Sequence, residues 1–330
     1  ALYEEKSIRF IDVRDERTGT HMADGYARAS GKPGIIIAGQ NGPGATNLVT
    51  GVAQAKAAFS PVISIAGAIS TEHEGKDAFQ EVDQQSLFEP ITKKTFTVRK
   101  TELIQQTLKK AFSLALSPCC GPVHLNFPRN ILANVFQFDK IQKHKIKKLS
   151  AIKENDLIEI LEIIDKAKKP IIIAGGGVKN SLCQENVIKI SAHLNIPIVS
   201  SAGHGDVIPF DEVLYAGQMG PRGNPIASEL VKNADVILAL GTRLGFNSTF
   251  YSYDNINKES KIIQIDINKK SLGRYFPIRL GICNDIKDLI EKLLIKVKEE
   301  KILPSFDSWV KKFLENKKNY LDKKELDADL

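Results

Sequence analysis

Two runs of β-branched residues, each followed by a glycine-rich turn, constrain the fold more than any other feature of this chain. The first run is Gly-Ile-Ile-Ile-Ala at 34–38, and the second is Pro-Ile-Ile-Ile-Ala at 170–174. Such continuous apolar runs are typical of parallel strands that are buried on both faces. Each run leads through its turn into a segment with helical spacing of apolar residues. The pattern predicts an α/β protein with parallel sheets and helices on both faces.

The alternation of strands and helices occurs in two stretches, which predicts two doubly wound domains. We place the first domain at 1–135 and the second at 154–300. The residues between them, 136–153, are polar and rich in lysine, so we predict a linker there. Residues 301–330 are predicted to form a helical extension. A length of 330 residues agrees with two domains.

The composition is that of a soluble globular protein, with 42% hydrophobic and 26% charged residues. The net charge of +7 comes from dispersed lysines without interleaved aromatic residues, so no nucleic-acid partner is expected. No apolar run has the length of a membrane span and no signal-peptide pattern opens the sequence, so no membrane partner is expected. The four cysteines show neither metal-binding nor disulfide spacing. These features favour a cytoplasmic protein without a metal site in this chain.

A carboxylate, Glu16, lies where a predicted strand meets a predicted helix. Residues 8–13 are predicted to form a short buried strand, and the helix that follows has Met22 and Tyr26 on one side. Ligands of open α/β sheets bind at the carboxyl ends of strands, which is the position of Glu16. A single acid at the start of a helix is also favoured by the helix dipole. Glu16 therefore indicates a site only in combination with other segments.

Two further segments provide that combination. The turn at 39–44 reads Gly-Gln-Asn-Gly-Pro-Gly, and its glycines let a flat ligand approach the backbone. The second segment is a polar loop with one aromatic residue at 77–83, continued by 90–94. Each segment alone is typical of an ordinary turn or a solvated loop. With Glu16 they indicate a ligand site at one edge of a sheet.

The three segments together resemble the pyrimidine-binding domain of thiamine diphosphate enzymes of the acetolactate synthase type. The resemblance continues through Gly-Pro-Val-His-Leu-Asn-Phe-Pro-Arg at 121–129, which is similar to the last strand of that domain. It covers nearly the whole chain. It implies that thiamine diphosphate is the cofactor and that the substrate is a small carbonyl compound, with the thiazolium as electron sink.

The resemblance implies a role for Glu16 and for the turn. Glu16 matches the catalytic glutamate that hydrogen-bonds N1′ of the cofactor's aminopyrimidine. Gly42, Pro43, Gly44 and Asn47 are expected to form the wall over the pyrimidine and so to bind the cofactor.

The same resemblance implies roles for four residues nearer the substrate. Phe79 and Gln80 match the loop that faces the reacting carbon, Phe79 in contact with the cofactor and Gln80 in catalysis. Gln40 and Lys93 are candidate substrate-binding residues, and Lys93 would pair with an anionic group. A solvated loop lysine is an equally good interpretation of Lys93.

The second domain lacks the dinucleotide-binding pattern. Gly-Gly-Gly at 175–177 follows a strand, but position 180 is Asn and the next strand ends in serine instead of an acid. A nicotinamide cofactor is therefore not expected. The domain resembles the Rossmann-like central domain of the same enzymes, which holds FAD in acetolactate synthases and no nucleotide in several relatives. For residues 241–244 and 264–268, roles in turns and caps are favoured over binding of FAD.

The diphosphate-binding domain of these enzymes has no counterpart in the sequence. No Gly-Asp-Gly motif, which would hold Mg²⁺ and the diphosphate, occurs in the chain. We therefore expect a fragment or one piece of a split enzyme, without the start of the pyrimidine domain and inactive alone, with the Mg²⁺ ligands in the missing domain. The cofactor of these enzymes lies between subunits, which implies a homodimer or homotetramer. A non-catalytic binding or regulatory protein is the alternative from another class.

Two enzymes of this family compete as models for the reaction. Residues 39–44 resemble sulfoacetaldehyde acetyltransferase, which converts sulfoacetaldehyde and phosphate into acetyl phosphate and sulfite. Residues 45–50 and 77–83 resemble acetolactate synthase, which condenses pyruvate. The acetyltransferase is the preferred interpretation, and acetolactate synthase is the alternative.

Overall fold

The chain forms two compact α/β units, residues 1–148 and 149–330. The structure, a computed structural model, describes residues 4–137, 151–299 and 306–328. Each unit is built on a parallel sheet, of four strands in the first and six in the second, which confirms the predicted fold class. Most of the predicted linker at 136–153 lies outside the described residues.

The first unit has a sheet in the order β1-β2-β4-β3, with all neighbours parallel. Its strands are β1 (Gly34–Ala38), β2 (Val62–Ala68), β3 (Lys94–Thr97) and β4 (Val123–Pro128). Its helices are α1 (Glu16–Ser30), α2 (Pro43–Asn47), α3 (Val49–Ala57), α4 (Gln84–Phe88), α5 (Ile104–Leu116) and α6 (Arg129–Ala133). Short 3₁₀ turns occur at Glu89–Ile91 and Thr101–Leu103.

Two apolar clusters hold this sheet. One contains residues of α1, β1, β2, α3 and α4, together with Leu48 between α2 and α3. The other contains residues of α5, β2 and β4, including Ala111 and Leu125. Every residue of β4 is buried, as expected for a strand with neighbours on both sides and helices above and below.

The predicted strand at 8–13 is wrong. These residues form neither a helix nor a strand, and Ile8, Phe10 and Ile11 are more than half exposed. The described residues contain no strand that pairs with this segment. A segment with alternating apolar residues forms a strand only where a neighbouring strand can pair with its backbone N–H and C=O groups.

The second unit has a sheet in the order β10-β9-β8-β5-β6-β7, again with parallel neighbours. Its strands are β5 (Pro170–Ala174), β6 (Ile198–Ser200), β7 (Tyr215–Gln218), β8 (Val236–Leu240), β9 (Lys261–Asp266) and β10 (Leu280–Cys283). Its helices are α7 (Glu154–Asp165), α8 (Gly176–Asn180), α9 (Gln184–Leu194), α10 (Pro225–Asn233), α11 (Phe246–Thr249), α12 (Ile286–Glu299) and α13 (Asp307–Ala328), with a 3₁₀ turn at Lys269–Ser271.

The order of these strands reverses at β5. The chain moves from β5 outward to β6 and β7, and then returns to the other side of β5 with β8. Alternate residues of β5 point to opposite faces, so that Ile172 belongs to one apolar cluster and Ile173 to the other. Among the described helices, none combines the length and the apolar character that crossing a membrane requires.

Candidate functional site

The carboxyl ends of β1 and β2 bring the turn at 39–44 and the loop after β2 to one edge of the first sheet. The two strands are parallel and in register, with Ala38 opposite Ala66. Their ends approach so closely that a Cβ atom on Gly67 would lie 2.5 Å from the Gly39 carbonyl oxygen. Two of the three segments singled out in the sequence therefore meet at this edge.

The third segment reaches the same edge through the start of α1. The Asp15 side chain caps this helix, because its Oδ1 accepts hydrogen bonds from the backbone N–H groups of Arg17 (2.8 Å) and Thr18 (3.2 Å). The cap makes Glu16 the first residue of the helix. Its side chain is half-buried.

Asn47 and Gly44 surround the Glu16 carboxylate. Asn47 Nδ2 donates a hydrogen bond to Glu16 Oε2 at 3.0 Å, across 31 residues of sequence. A Cβ atom on Gly44 would lie 3.6 Å from Glu16 Oε1 and 2.9 Å from Gln40 Cβ. The absence of that Cβ leaves one face of the carboxylate open. The arrangement can accept a hydrogen bond from a flat polar ring while Asn47 orients the acid.

Gly42 is required by the conformation of the turn. Its φ of +59° lies in the left-handed region, and a Cβ there would lie 2.5 Å from the Gln80 carbonyl oxygen. Pro43 follows as the first residue of α2, where the missing N–H has no cost. Turn and loop therefore pack backbone against backbone.

The loop at 77–83 is fastened to the turn by Asn41. Its Nδ2 donates to the carbonyl oxygens of Phe79 (3.2 Å) and Gln80 (3.1 Å). The side-chain amides of Gln40 and Gln80 are also hydrogen-bonded to each other. Gln80 has a φ of +59°, which is uncommon for a residue with a side chain and persists only where its surroundings hold it. The Phe79 side chain is 83% exposed.

Lys93 is not brought to this cluster, which corrects its expected place in the site. It immediately precedes β3, so it lies at the amino-terminal edge of the sheet, opposite to the edge that holds Glu16. Its Nζ donates to Ser117 Oγ at 2.7 Å. Burial lowers the pKa of the Lys93 ammonium. The equally weighted interpretation as a solvated lysine is wrong as well, because the side chain is half-buried.

Two polar residues at this site had no role in the sequence-based prediction. Asn41 lies within the predicted turn, and its place between two glycine-containing dipeptides was the available signal. Gln84 is buried beneath the turn, and its Oε1 accepts a hydrogen bond from the Gly42 N–H at 3.4 Å. The sequence contained no signal for it, since Gln84 and its neighbour Gln85 are the same residue type in the same polar stretch.

The turns at the corresponding edge of the second unit lie close together. A Cβ atom on Gly175 would lie 2.3 Å from the Gly241 carbonyl oxygen, so the turns after β5 and β8 touch. Thr242 Oγ1 accepts from the Leu244 N–H, and Asp266 Oδ1 accepts from the Asn268 N–H. Both hydrogen bonds are local contacts of the kind that stabilise turns. Burial raises the pKa of the Asp266 carboxyl.

Comparison with known protein families matches both units to one group of enzymes. Residues 1–87 match the family described as "Thiamine pyrophosphate enzyme, N-terminal TPP binding domain". Residues 157–293 match "Thiamine pyrophosphate enzyme, central domain". The first match includes Glu16, the turn and the loop at 77–83.

Comparison with individual proteins finds relatives of two names. The chain is 34% identical over 324 residues to a "Probable acetolactate synthase large subunit" of Methanocaldococcus jannaschii, covering 96% of this chain and 54% of that protein. It is 32% identical to the "Acetolactate synthase large subunit" of Haemophilus influenzae, covering 94% and 55%. It is 34% identical to the "Sulfoacetaldehyde acetyltransferase" of Alcaligenes xylosoxydans xylosoxydans, covering 88% and 48%. The chain spans about half the length of these relatives.

Proposed function

Because the chain belongs to the thiamine pyrophosphate enzymes, with their N-terminal and central domains, we propose that it forms the pyrimidine-binding part of an enzyme that depends on thiamine diphosphate. The observation that supports this role is the Glu16 carboxylate, which is oriented by Asn47 and left open by Gly44. An enzyme that activates an aminopyrimidine needs an acid that holds a proton at one ring nitrogen.

The residues at this edge fit the pyrimidine end of the cofactor. When bound, thiamine diphosphate supplies an electron sink for cleavage of a bond next to a carbonyl. In our proposal Glu16 holds a proton at the pyrimidine N1′, and Asn47 keeps the carboxylate in place. Gly42 and Gly44 let the backbone approach the flat ring, with Pro43 shaping the turn between them. Phe79, from the opposite side of the site, is proposed to cover the ring.

The other end of the cofactor is proposed to be held outside this chain. The described residues contain no group of His, Cys, Asp and Glu side chains that could hold a metal ion. We propose that a diphosphate-binding domain with Mg²⁺ completes the site, contributed by a second subunit of a homodimer or homotetramer. The substrate is proposed to be a small carbonyl compound.

Our first candidate for the reaction is acetyl transfer from sulfoacetaldehyde to phosphate, which releases sulfite. It is supported by Gln40, whose amide is bonded to that of Gln80 beside the opening above Glu16. A relative of this name matches 88% of the chain. The two amides provide hydrogen-bond donors for an anionic sulfonate or phosphate. FAD is not part of this proposal.

The second candidate is the condensation of pyruvate to acetolactate. It is favoured by the relatives named acetolactate synthase, which cover 94–96% of this chain, more than the acetyltransferase covers. This candidate would bring FAD back as a ligand of the second unit.

The first prediction concerns Glu16 and uses the full-length polypeptide that contains this chain, supplied with thiamine diphosphate, Mg²⁺ and phosphate. We expect sulfite and acetyl phosphate to form from sulfoacetaldehyde. We expect Glu16→Gln to lower kcat by about 10²–10⁴-fold, because the amide cannot hold and return a proton. Sulfite release and acetyl phosphate are measured separately.

Glu102→Gln is the control, since Glu102 is an exposed acid elsewhere in the first unit. It is expected to leave kcat unchanged. Formation of acetolactate from pyruvate without sulfite would select the second candidate. Inactivity with both substrates and no binding of thiamine diphosphate would contradict the proposed function and favour a non-catalytic role.

A further inference from the structure

A chain of buried polar side chains runs through the middle of the first sheet and ends at the turn over the site. Ser64 on β2 and His124 on β4 are opposite each other, with Ser64 Oγ 2.9 Å from His124 Nδ1. His124 Nε2 lies 2.8 Å from Asn126 Oδ1, and Gln84 Nε2 lies 2.7 Å from the same oxygen. All four side chains are at least 95% buried. Burying polar side chains such as these costs free energy unless each of them has a hydrogen-bond partner.

Each hydrogen bond in this chain has one consistent direction. Asn126 Oδ1 can only accept, so both His124 Nε2 and the Gln84 amide donate to it. Neutral His124 then carries its hydrogen on Nε2 and accepts from the Ser64 hydroxyl at Nδ1. The ring of Phe88 stacks on the imidazole at 3.5 Å, which keeps water away from it. Burial accordingly lowers the pKa of His124 to about 4, so the neutral form is the one present near neutral pH.

Gln84 links this row of buried side chains to the turn at the site. Its amide nitrogen donates to Asn126 and also to the Gly67 carbonyl oxygen at the end of β2 (3.1 Å). Its amide oxygen is thereby oriented toward the turn, where it accepts from the Gly42 N–H. One side chain thus joins the ends of β2 and β4 to the residue whose left-handed backbone shapes the turn. An amide is needed, since only an amide both donates to two acceptors and accepts from an N–H.

We propose that Gln84 is a positioning residue, which holds the Gly42 turn in the conformation that the cofactor requires and is itself oriented by Asn126 and His124. It does not touch the proposed reacting atoms. It acts by restricting the conformations of the turn, so that the turn has its binding conformation before the ligand arrives. Only the effect on the cofactor rests on the function proposed above. The effect on the turn does not.

The second prediction is that loss of the Gln84 amide loosens the turn without unfolding the sheet. Hydrogen exchange at the Gly42 N–H is followed by NMR on uniformly ¹⁵N-labelled protein, in which the amides of Ile63 and Leu125 report on the sheet. Gln84→Met keeps the length of the side chain and removes its hydrogen bonds. It is expected to accelerate exchange at Gly42 by about tenfold, the factor that corresponds to one lost hydrogen bond. Exchange at Ile63 and Leu125 is expected to remain within twofold of the wild type.

Gln85→Met is the matched control, because Gln85 lies in the same helix and its amide oxygen accepts from Thr97. It is expected to leave exchange at Gly42 unchanged. If Gln84→Met does not fold, Gln84→Asn replaces it, since the shorter amide keeps the polarity and cannot span the distance from Asn126 to Gly42. Exchange at Gly42 that stays within twofold of the wild type in the folded variant would overturn the proposal. Equal acceleration in the Gln85 control would overturn it as well.

The full-length polypeptide provides the functional measurement. Gln84→Met is expected to raise the concentration of thiamine diphosphate needed for half-maximal rate by about tenfold, while kcat at saturating cofactor stays within threefold of the wild type. In Glu16→Gln, by contrast, kcat is expected to stay low even with excess cofactor. A lower kcat that saturating cofactor does not restore would overturn the positioning role. A wild type that binds no thiamine diphosphate would contradict the proposed function and leave the exchange result as the test of this inference.

Discussion

At the scale of single residues, Glu16 and His124 of the first unit occupy contrasting environments. Glu16 is half-buried and lies at the opening at the sheet edge, where the role proposed for it requires access to a ligand. His124 is fully buried in the sheet and sits between Ser64 and Asn126. Its function in the fold requires that it stay neutral. Because burial shifts the pKa of His124, the ionisation of this residue changes the free energy of unfolding and can be measured through it.

The third prediction follows from the lowered pKa of His124. The unfolded chain takes up a proton on this histidine near pH 6.5, and the folded protein does so only near pH 4. The free energy of unfolding therefore falls as the pH is lowered from 6.5 to 4. At pH 5 the loss due to His124 is expected to be about 2 kcal/mol, obtained from 1.36 kcal/mol per pKa unit.

Urea unfolding at pH 7 and pH 5 measures this loss, with His124→Gln as the reference that removes the titrating group and keeps donor and acceptor atoms. The wild type is expected to lose about 2 kcal/mol more than the variant. Equal losses in the two proteins would show that His124 titrates normally and would contradict the assignment.

At the scale of elements, the distance between α1 and α3 decides whether Glu16 and Asn47 can meet. Glu16 begins α1. Asn47 ends α2, and a single residue separates it from Val49, where α3 begins. The two longer helices touch where Gly51 faces Thr20, since a Cβ on Gly51 would lie 2.5 Å from the Thr20 Cβ. A glycine inside a helix costs about 1 kcal/mol relative to alanine, so it needs a reason such as this close approach.

The fourth prediction compares two glycines in these helices. Gly51→Ala is expected to destabilise the first unit by about 1–2 kcal/mol, because the gain in helix propensity is smaller than the cost of forcing α3 away from α1. Gly25→Ala on α1 is the matched control. A Cβ there has no atom within 4 Å, so this variant is expected to gain up to about 1 kcal/mol.

Thermal unfolding of both variants measures these changes. A stabilised Gly51→Ala protein would show that α1 and α3 separate without cost and would remove packing as the reason for this glycine. In the full-length polypeptide, Gly51→Ala is also expected to weaken the binding of thiamine diphosphate, since it moves Asn47 relative to Glu16.

At the scale of the whole molecule, the second unit has a sheet and an apolar core of its own. Within the described part of the chain its six strands pair with one another, and helices on both faces cover apolar clusters that include Ile172 and Ile173. Its length is within the range of single domains. Stability of such a unit comes from its own buried apolar surface.

The fifth prediction is that residues 151–328 fold when expressed alone. Circular dichroism is expected to show one cooperative urea transition. Ile237→Ala, which truncates a fully buried residue of β8, is expected to lower the free energy of unfolding by about 2–5 kcal/mol. The loss should be the same in the isolated unit and in the whole chain. A gradual unfolding curve without a transition would contradict the independence of the unit.

The sequence predicted the long apolar runs well and missed three short edge strands. The runs at 34–38 and 170–174 coincide with β1, which is an edge strand, and with β5, which is an interior strand. The three strands that it did not predict, β3, β7 and β10, each contain four residues and each form an edge of their sheet. An edge strand of only four residues is too short to show the continuous apolar run that identifies β1 and β5.

By itself, the sequence determined the fold class, the family and the three segments that meet at the site, because apolar periodicity, turn residues and motifs are local properties of a chain. Only the tertiary structure decided which of the candidate residues meet. It joined Glu16 to Asn47 and Gln40 to Gln80, moved Lys93 to the other end of the sheet, and placed Gln84 beneath the turn. These contacts join residues between 24 and 42 positions apart, and such distances are set by strand order and helix packing. No local pattern carries that information.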